Sequence, residues 1–148
     1  MTTSEDLSLF YKFPLDDQVA LLGDPDGRLS PPLVRRLSHS AGSVKSHAIF
    51  TSNPSSDTGF VLSDRFKETL TAVCSHLDQW WECLDPEVRD HFIRHRSSGI
   101  DGNYKGAVMC AGDGRPDGLI IAVVQDEKTG QFRLPPPIDA YVELQARL

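Results

Sequence analysis

Residues 64–84 read Asp64-Arg65-Phe66-Lys67-Glu68-Thr69-Leu70-Thr71-Ala72-Val73-Cys74-Ser75-His76-Leu77-Asp78-Gln79-Trp80-Trp81-Glu82-Cys83-Leu84. Phe66, Leu70, Val73, Cys74, Leu77, Trp80, Trp81 and Leu84 recur at steps of three and four, the spacing of one helix face. With Ser63 or Asp64 as cap, the spacing predicts an amphipathic helix over 64–84. Adjacent helical residues diverge by about 100°, so Trp80 and Trp81 enter one core from two angles and do not form a stacking platform for a ligand. Asp85-Pro86-Glu87 ends this helix and opens another, with a cap, a proline at the first helical position and an acid facing the dipole. Val88, Phe92 and Ile93 form the inward stripe of the second helix, which stops before Ser97-Ser98-Gly99. A helical hairpin over 64–96 is therefore the anchor of the expected fold.

Upstream, Leu7, Leu9, Tyr11 and Phe13 alternate at period two, which suggests a short edge strand or arm over 1–13. Pro14 opens a short helix with Leu15, Val19 and Leu22 inward and Gly23 as its stop. Ser30 and Pro31 resemble an N-cap and first helical residue for a helix to about Leu37. His47–Thr51 and Phe60–Leu62 read as two strands joined by a long loop over 52–59. Downstream, Tyr104–Ala111, Leu119–Gln125 and Gln131–Leu134 read as a three-strand meander over 104–134, broken by Pro135-Pro136-Pro137. Leu119–Val124 is apolar on both faces, which predicts a central, covered strand. Ile138, Tyr141, Val142 and Leu144 suggest a closing helix. The expected architecture is α+β, a single domain over 1–148. Its antiparallel sheet, a β-hairpin plus the C-terminal meander, packs on the helical hairpin, with short N- and C-terminal helices.

The 148 residues carry 15 Lys or Arg and 21 Asp or Glu, a formal net charge of −6. That balance disfavours a phosphate-backbone binder. The longest apolar run, Leu119 to Val124, is far short of the ~20 residues a spanning helix needs, so no membrane partner is expected. An acidic start without an apolar stretch behind it is unlike a secretory signal. Three cysteines, Cys74, Cys83 and Cys110, form no CxxC pair, and reduced thiols in the cytoplasm are the expectation.

Motif chemistry is sparse. His91 and His95 sit at i and i+4, the skeleton of a zinc-binding HExxH, but Phe92 stands where the general-base Glu belongs. Arginines 89, 94 and 96 around them oppose a cation, so no metal is expected. Cys110 has His47 or His76 as conceivable bases, whereas Cys74 and His76 diverge on their own helix. Gly112-Asp113-Gly114-Arg115-Pro116-Asp117-Gly118 is neither a GxGxxG nor a Walker loop, and no cofactor is expected.

Residues 16–85 resemble winged helix-turn-helix domains in organisation. The helix at 15–22 and Arg28–Leu37 match a first and second helix, Ser40–His47 a recognition helix, and 50–62 a wing. The resemblance implies DNA contacts at Arg35, Arg36, Lys45 and His47. Ser40–His47 holds one Lys and no Arg, and residues 1–62 carry five Lys or Arg against seven Asp or Glu.

The leading expectation is a non-catalytic protein-binding or regulatory module, resembling an inhibitor or immunity protein in size and acidity. Its partner is another protein or a second copy. The expected surface is Phe10, Tyr11 and Phe13 in the arm with Asn53 and Asp57 in the loop. A DNA-binding regulator is second, and a small Cys/His enzyme or metalloprotein third.

Overall fold

A computed structural model of the chain describes residues 3–25, 27, 32, 35, 50–52, 60–116 and 118–148. These are mostly helical, and the strands among them form two separate two-stranded antiparallel ladders. The expected sheet of hairpin plus three-strand meander is therefore corrected to a helix-dominated mixed fold. The chain divides into two compact units, Met1–Thr71 and Ala72–Leu148.

In the first unit, helix α1 (Thr3–Phe10) replaces the strand expected in the arm. Leu7, Phe10 and Phe13 are buried while Ser8 is exposed, so a step of three prevails over the period of two. Past the helix, Tyr11 N–H donates to the Leu7 carbonyl and Phe13 N–H to that of Phe10. Helix α2 (Leu15–Gly23) follows, burying Gln18, Val19, Leu21 and Leu22. Gln18 is buried because its amide works: Nε2 donates to the Phe13 carbonyl at 2.8 Å and to the Tyr11 carbonyl at 3.2 Å, fastening the α1–α2 turn. Phe13 stacks on Phe66 at 6.3 Å, and Phe10 meets both edge-on. Strands β1 (Phe50–Ser52) and β2 (Phe60–Leu62) pair antiparallel with Phe50 opposite Leu62. The helix expected over 30–37 and the recognition helix over 40–47 lie outside the described residues, apart from Pro32 and Arg35.

Helix α3 (Asp64–Cys83) is the helix expected over 64–84, and it crosses from the first unit into the second. Ser63 Oγ accepts from Phe66 N–H at its start. Leu70, Val73, Leu77 and Trp80 are buried, as the stripe requires. In the second unit, α4 (Pro86–His95) buries Phe92. Gly99, at φ 115°, then turns the chain into β3 (Ile100–Asp101).

The expected meander fails at its first and second strands. Residues 102–112 form a 3-10 turn, helix α5 (Lys105–Met109) and a second 3-10 turn. Asp101 caps the first turn by accepting from Asn103 N–H, and Val108 and Ala111 are buried three residues apart while Lys105, Gly106, Met109 and Cys110 face out. The last carbonyls of a helix lack internal partners, and α3 supplies them here. Trp80 Nε1–H donates to the Ala107 carbonyl at 2.8 Å, and His76 Nε2 lies 2.5 Å from that of Ala111. A carbonyl only accepts, so that nitrogen carries the proton.

Strand β4 (Gln131–Phe132) pairs with β3, not with 119–125. Its other neighbour is a single antiparallel bridge, Gln125↔Phe132, closing a turn over 126–130. Continuing that register would set Val124 against Arg133, Val123 against Leu134, then Ala122, Ile121 and Ile120 against Pro135, Pro136 and Pro137. Prolines have no N–H to give a ladder. Pairing stops there. Helix α6 (Ile138–Arg147) closes the chain, burying Ile138, Ala140, Tyr141 and Val142.

Candidate functional site

Residues 119–124 form no regular helix or strand, so the covered central strand expected there is not found, although their burial alternates. Leu119 and Ile121 are buried, whereas Ile120 is 65% exposed and Val124 85% exposed. Among the described residues, no backbone hydrogen bond of residues 120–123 reaches another segment. An apolar, β-branched strand with an unpaired edge is a template for another chain. Asp126 N–H donates to the Gln131 carbonyl at 2.8 Å. If the antiparallel geometry of the Gln125↔Phe132 bridge is carried back along this segment, its even-numbered residues aim their backbone groups toward the 131–137 side, and Leu119, Ile121 and Val123 aim theirs outward. On the proline side the arms diverge into an open groove of about 680 Å³, lined among others by Ala122, Val124, Phe132, Leu134, Pro135 and Pro136. Polar groups at its margin include Gln125, Asp126, Gln131 and Arg133.

The residues singled out by sequence fare differently. Phe10 and Phe13 are core residues of the first unit, so neither is available to a partner; Tyr11 is half-buried beside them. The aromatic density of the arm builds a core and not a surface. Asn53, Asp57, Arg36, Lys45 and His47 lie outside the described residues, and Arg35 is helical and exposed.

His91 and His95 face one another, with ring centroids 4.4 Å apart, and Tyr104 stacks on the other face of His91 at 4.0 Å. His91 Nε2 accepts from Asp101 N–H at 3.4 Å, which sets its tautomer with the proton on Nδ1. Burial, and then the neighbouring His95, hold the His91 pKa below its ordinary value, against opposing pulls from Asp101 and Asp90. Asp90 is engaged by Arg94 at 3.0 Å. No group of three or more His, Cys, Asp or Glu suited to a metal occurs among the described residues.

Cysteine chemistry finds little support in the geometry. Burial, then Asp78, raises the Cys74 thiol pKa, the wrong direction for a nucleophile. Cys110 is exposed, and the His76 ring is committed to the Ala111 carbonyl beside it. Beneath lies a polar tie that sequence reading missed: Tyr141 Oη donates to Asp78 Oδ1 at 2.5 Å from a ring that is 1% exposed. Burial first, then Asp78, pushes the Tyr141 pKa well above the usual phenol range. The spacing of Asp78 to Tyr141 across the chain offers no local signal for this contact.

No helix among the described residues is long and apolar enough to cross a membrane. No family model, no curated protein and no solved structure matches the chain.

Proposed function

We propose that the chain is a protein-binding module that takes an extended polypeptide segment by strand addition along the outer edge of residues 119–123. A single observation carries this reading: an uncharged, apolar segment whose residues 120–123 make no backbone hydrogen bond to another segment among the described residues, with Ile120 and the adjoining Val124 in solvent. In strand addition, backbone hydrogen bonds supply affinity and alternate side chains supply selectivity. The outward N–H groups of Ile121 and Val123 are the donors, and the outward carbonyls of Leu119 and Ile121 are the acceptors. The groove on the other side gives room for an apolar side chain over Ala122 and Val124. Three cysteines that are all free suit a reducing compartment such as the cytoplasm.

The test is residue-resolved amide exchange of the full chain with an acetylated, amidated octapeptide alternating Val and Thr. Slowed exchange at Ile121 and Val123, with Ala122 little changed, is the expected result. Unchanged exchange at both residues with saturating peptide sinks the proposal.

A further inference from the structure

We propose that His91 is an acid-sensitive latch between α4 and β3: on taking up a proton it releases the Asp101 N–H and frees that edge of β3, while the helices stay folded. Residues 119–123 play no part in it. Asp101 lies opposite Gln131, whose carbonyl accepts from Asp126 N–H on the far side of β4. The backbone groups of such a pair point away from one another, so Asp101 N–H leaves the ladder on the α4 side. There His91 Nε2 accepts it at 3.4 Å, a long bond whose loss acts locally. A carbonyl or a water in that place would accept at any pH. A ring nitrogen accepts only while it is unprotonated.

The neighbours of the ring decide what a proton does there. On α4, His95 faces His91 with ring centroids 4.4 Å apart, and Asp90 adjoins it with its carboxylate held by Arg94 at 3.0 Å. From β3 come the Asp101 N–H and the Asp101 carboxylate, which already accepts from Asn103 N–H at 2.9 Å. From the turn over 102–104 comes Tyr104, stacked on His91 at 4.0 Å and nearly parallel to it. Burial and then His95 oppose a charge on His91, Asp101 and Asp90 favour one, and the first two prevail. The ring is therefore neutral at neutral pH and charges only in acid. Once charged, it keeps its stack and gains a cation–π attraction from Tyr104. Both ring nitrogens then donate, which sets Nε2–H against the Asp101 N–H. The stack holds the ring, so the backbone at 101 gives way and its N–H turns to water. Ile100 is buried and keeps β3 paired with β4, which confines the opening to Asp101 and to the 102–104 turn that Asp101 caps.

The experiment is an NMR titration of the full chain from about pH 7.5 to about pH 5, following the His91 ring nitrogens and the backbone amides. At neutral pH, His91 is expected to carry its proton on Nδ1 and to leave Nε2 bare. On acidification the Asp101 amide should shift upfield with the same midpoint as the His91 ring. Its temperature coefficient should change from that of a bonded amide to that of a solvated one, a readout that the nearby charge alone would not move. The amides of Val73 and Leu77 in α3, and of Gly130, which donates to the Asp126 carbonyl, should stay where they are. His91→Phe keeps a ring against Tyr104 but has no acceptor, so its Asp101 amide should be solvated at both pH values and show no step. His95→Gln removes the like charge and should move the midpoint to higher pH. An Asp101 amide that stays bonded after His91 has charged overturns the proposal, as does a step that persists in His91→Phe. A proton on Nε2 at neutral pH overturns it too, and so does an acid transition in which the α3 amides move together with Asp101. The parent titration decides by itself if His91→Phe fails to fold.

Discussion

Trp80 and Trp81 offer a controlled comparison, because both are buried, at 6% and 9% exposure, and replacing either with Phe deletes the same atoms. The transfer and cavity losses of the two substitutions are therefore similar, and their difference isolates what only one indole does. Trp80 Nε1–H donates to the Ala107 carbonyl at 2.8 Å, whereas Trp81 has no hydrogen bond from its indole among the described residues. Trp80→Phe leaves the Ala107 carbonyl at the end of α5 without its donor, a cost of about 1–3 kcal/mol for a buried group. Ala107 is only half-buried, so water recovers part of that, and the lower half of the range applies. Stacking on Phe92 at 6.1 Å survives in both variants, since a phenyl ring remains. We therefore expect Trp80→Phe to be about 1–2 kcal/mol less stable than Trp81→Phe, a difference of roughly 2–8 °C in melting temperature for a chain of this size. Urea titrations with unchanged slopes measure it, and amide exchange in residues 105–112 should accelerate only in Trp80→Phe. Equal stability of the two variants, or a larger loss in Trp81→Phe, refutes the view that the 80-to-107 bond holds the 102–112 run in place.

Two further outcomes follow from titration. Tyr141 keeps its proton in the native state above its ordinary pKa of 10.0. The native state then holds a proton that the unfolded state has lost, so stability present below pH 10 falls as pH rises further, by up to about 1.4 kcal/mol per pH unit. Tyr141→Phe should flatten that part of the parent's alkaline unfolding curve, and an unaltered curve would contradict the burial and Asp78 contact described for this ring. His91 has the opposite bias: its native pKa lies below 6.5, so the unfolded chain takes up the proton first and stability falls as pH drops below about 6.5. In His91→Gln, the difference in urea midpoint between pH 7.5 and 5.5 should shrink; a difference as large as the parent's would place the acid sensitivity elsewhere.

The long helix was legible because its buried stripe repeats over about four turns, Phe66 to Trp80, whereas its successor and the closing helix were read from shorter cues: the Asp85-Pro86 start, and the spacing of Ile138, Tyr141 and Val142. The arm was not, because Leu7, Phe10 and Phe13 fit a step of three as well as Leu7, Leu9, Tyr11 and Phe13 fit a step of two, and seven residues cannot separate the two periods. Helix α5 is only five residues long, too short to show a period, and it depends on donors from His76 and Trp80 that lie far away in sequence. The candidate site was half visible. Its apolar character was plain in the run Leu119 to Val124, but its unpaired edge follows from three prolines that stand opposite only when the Gln125↔Phe132 bridge is known.

Gly102 is a place where inheritance should be constrained by one carbon atom. Its backbone lies outside the left-handed region that favours glycine, so conformation does not require it. Space does: a Cβ there would come within 2.5 Å of the Gly130 carbonyl oxygen and collide with Gln125 Nε2, which itself donates to that carbonyl at 2.9 Å. The carbonyl belongs to the backbone and cannot swing aside as a long side chain would. Sequence drift at position 102 is thus tied to drift in the 125–130 turn, and the two should change together or not at all. Because that turn carries the strand whose edge is unpaired, a single methyl group at 102 would re-aim the proposed binding edge without touching any residue in it.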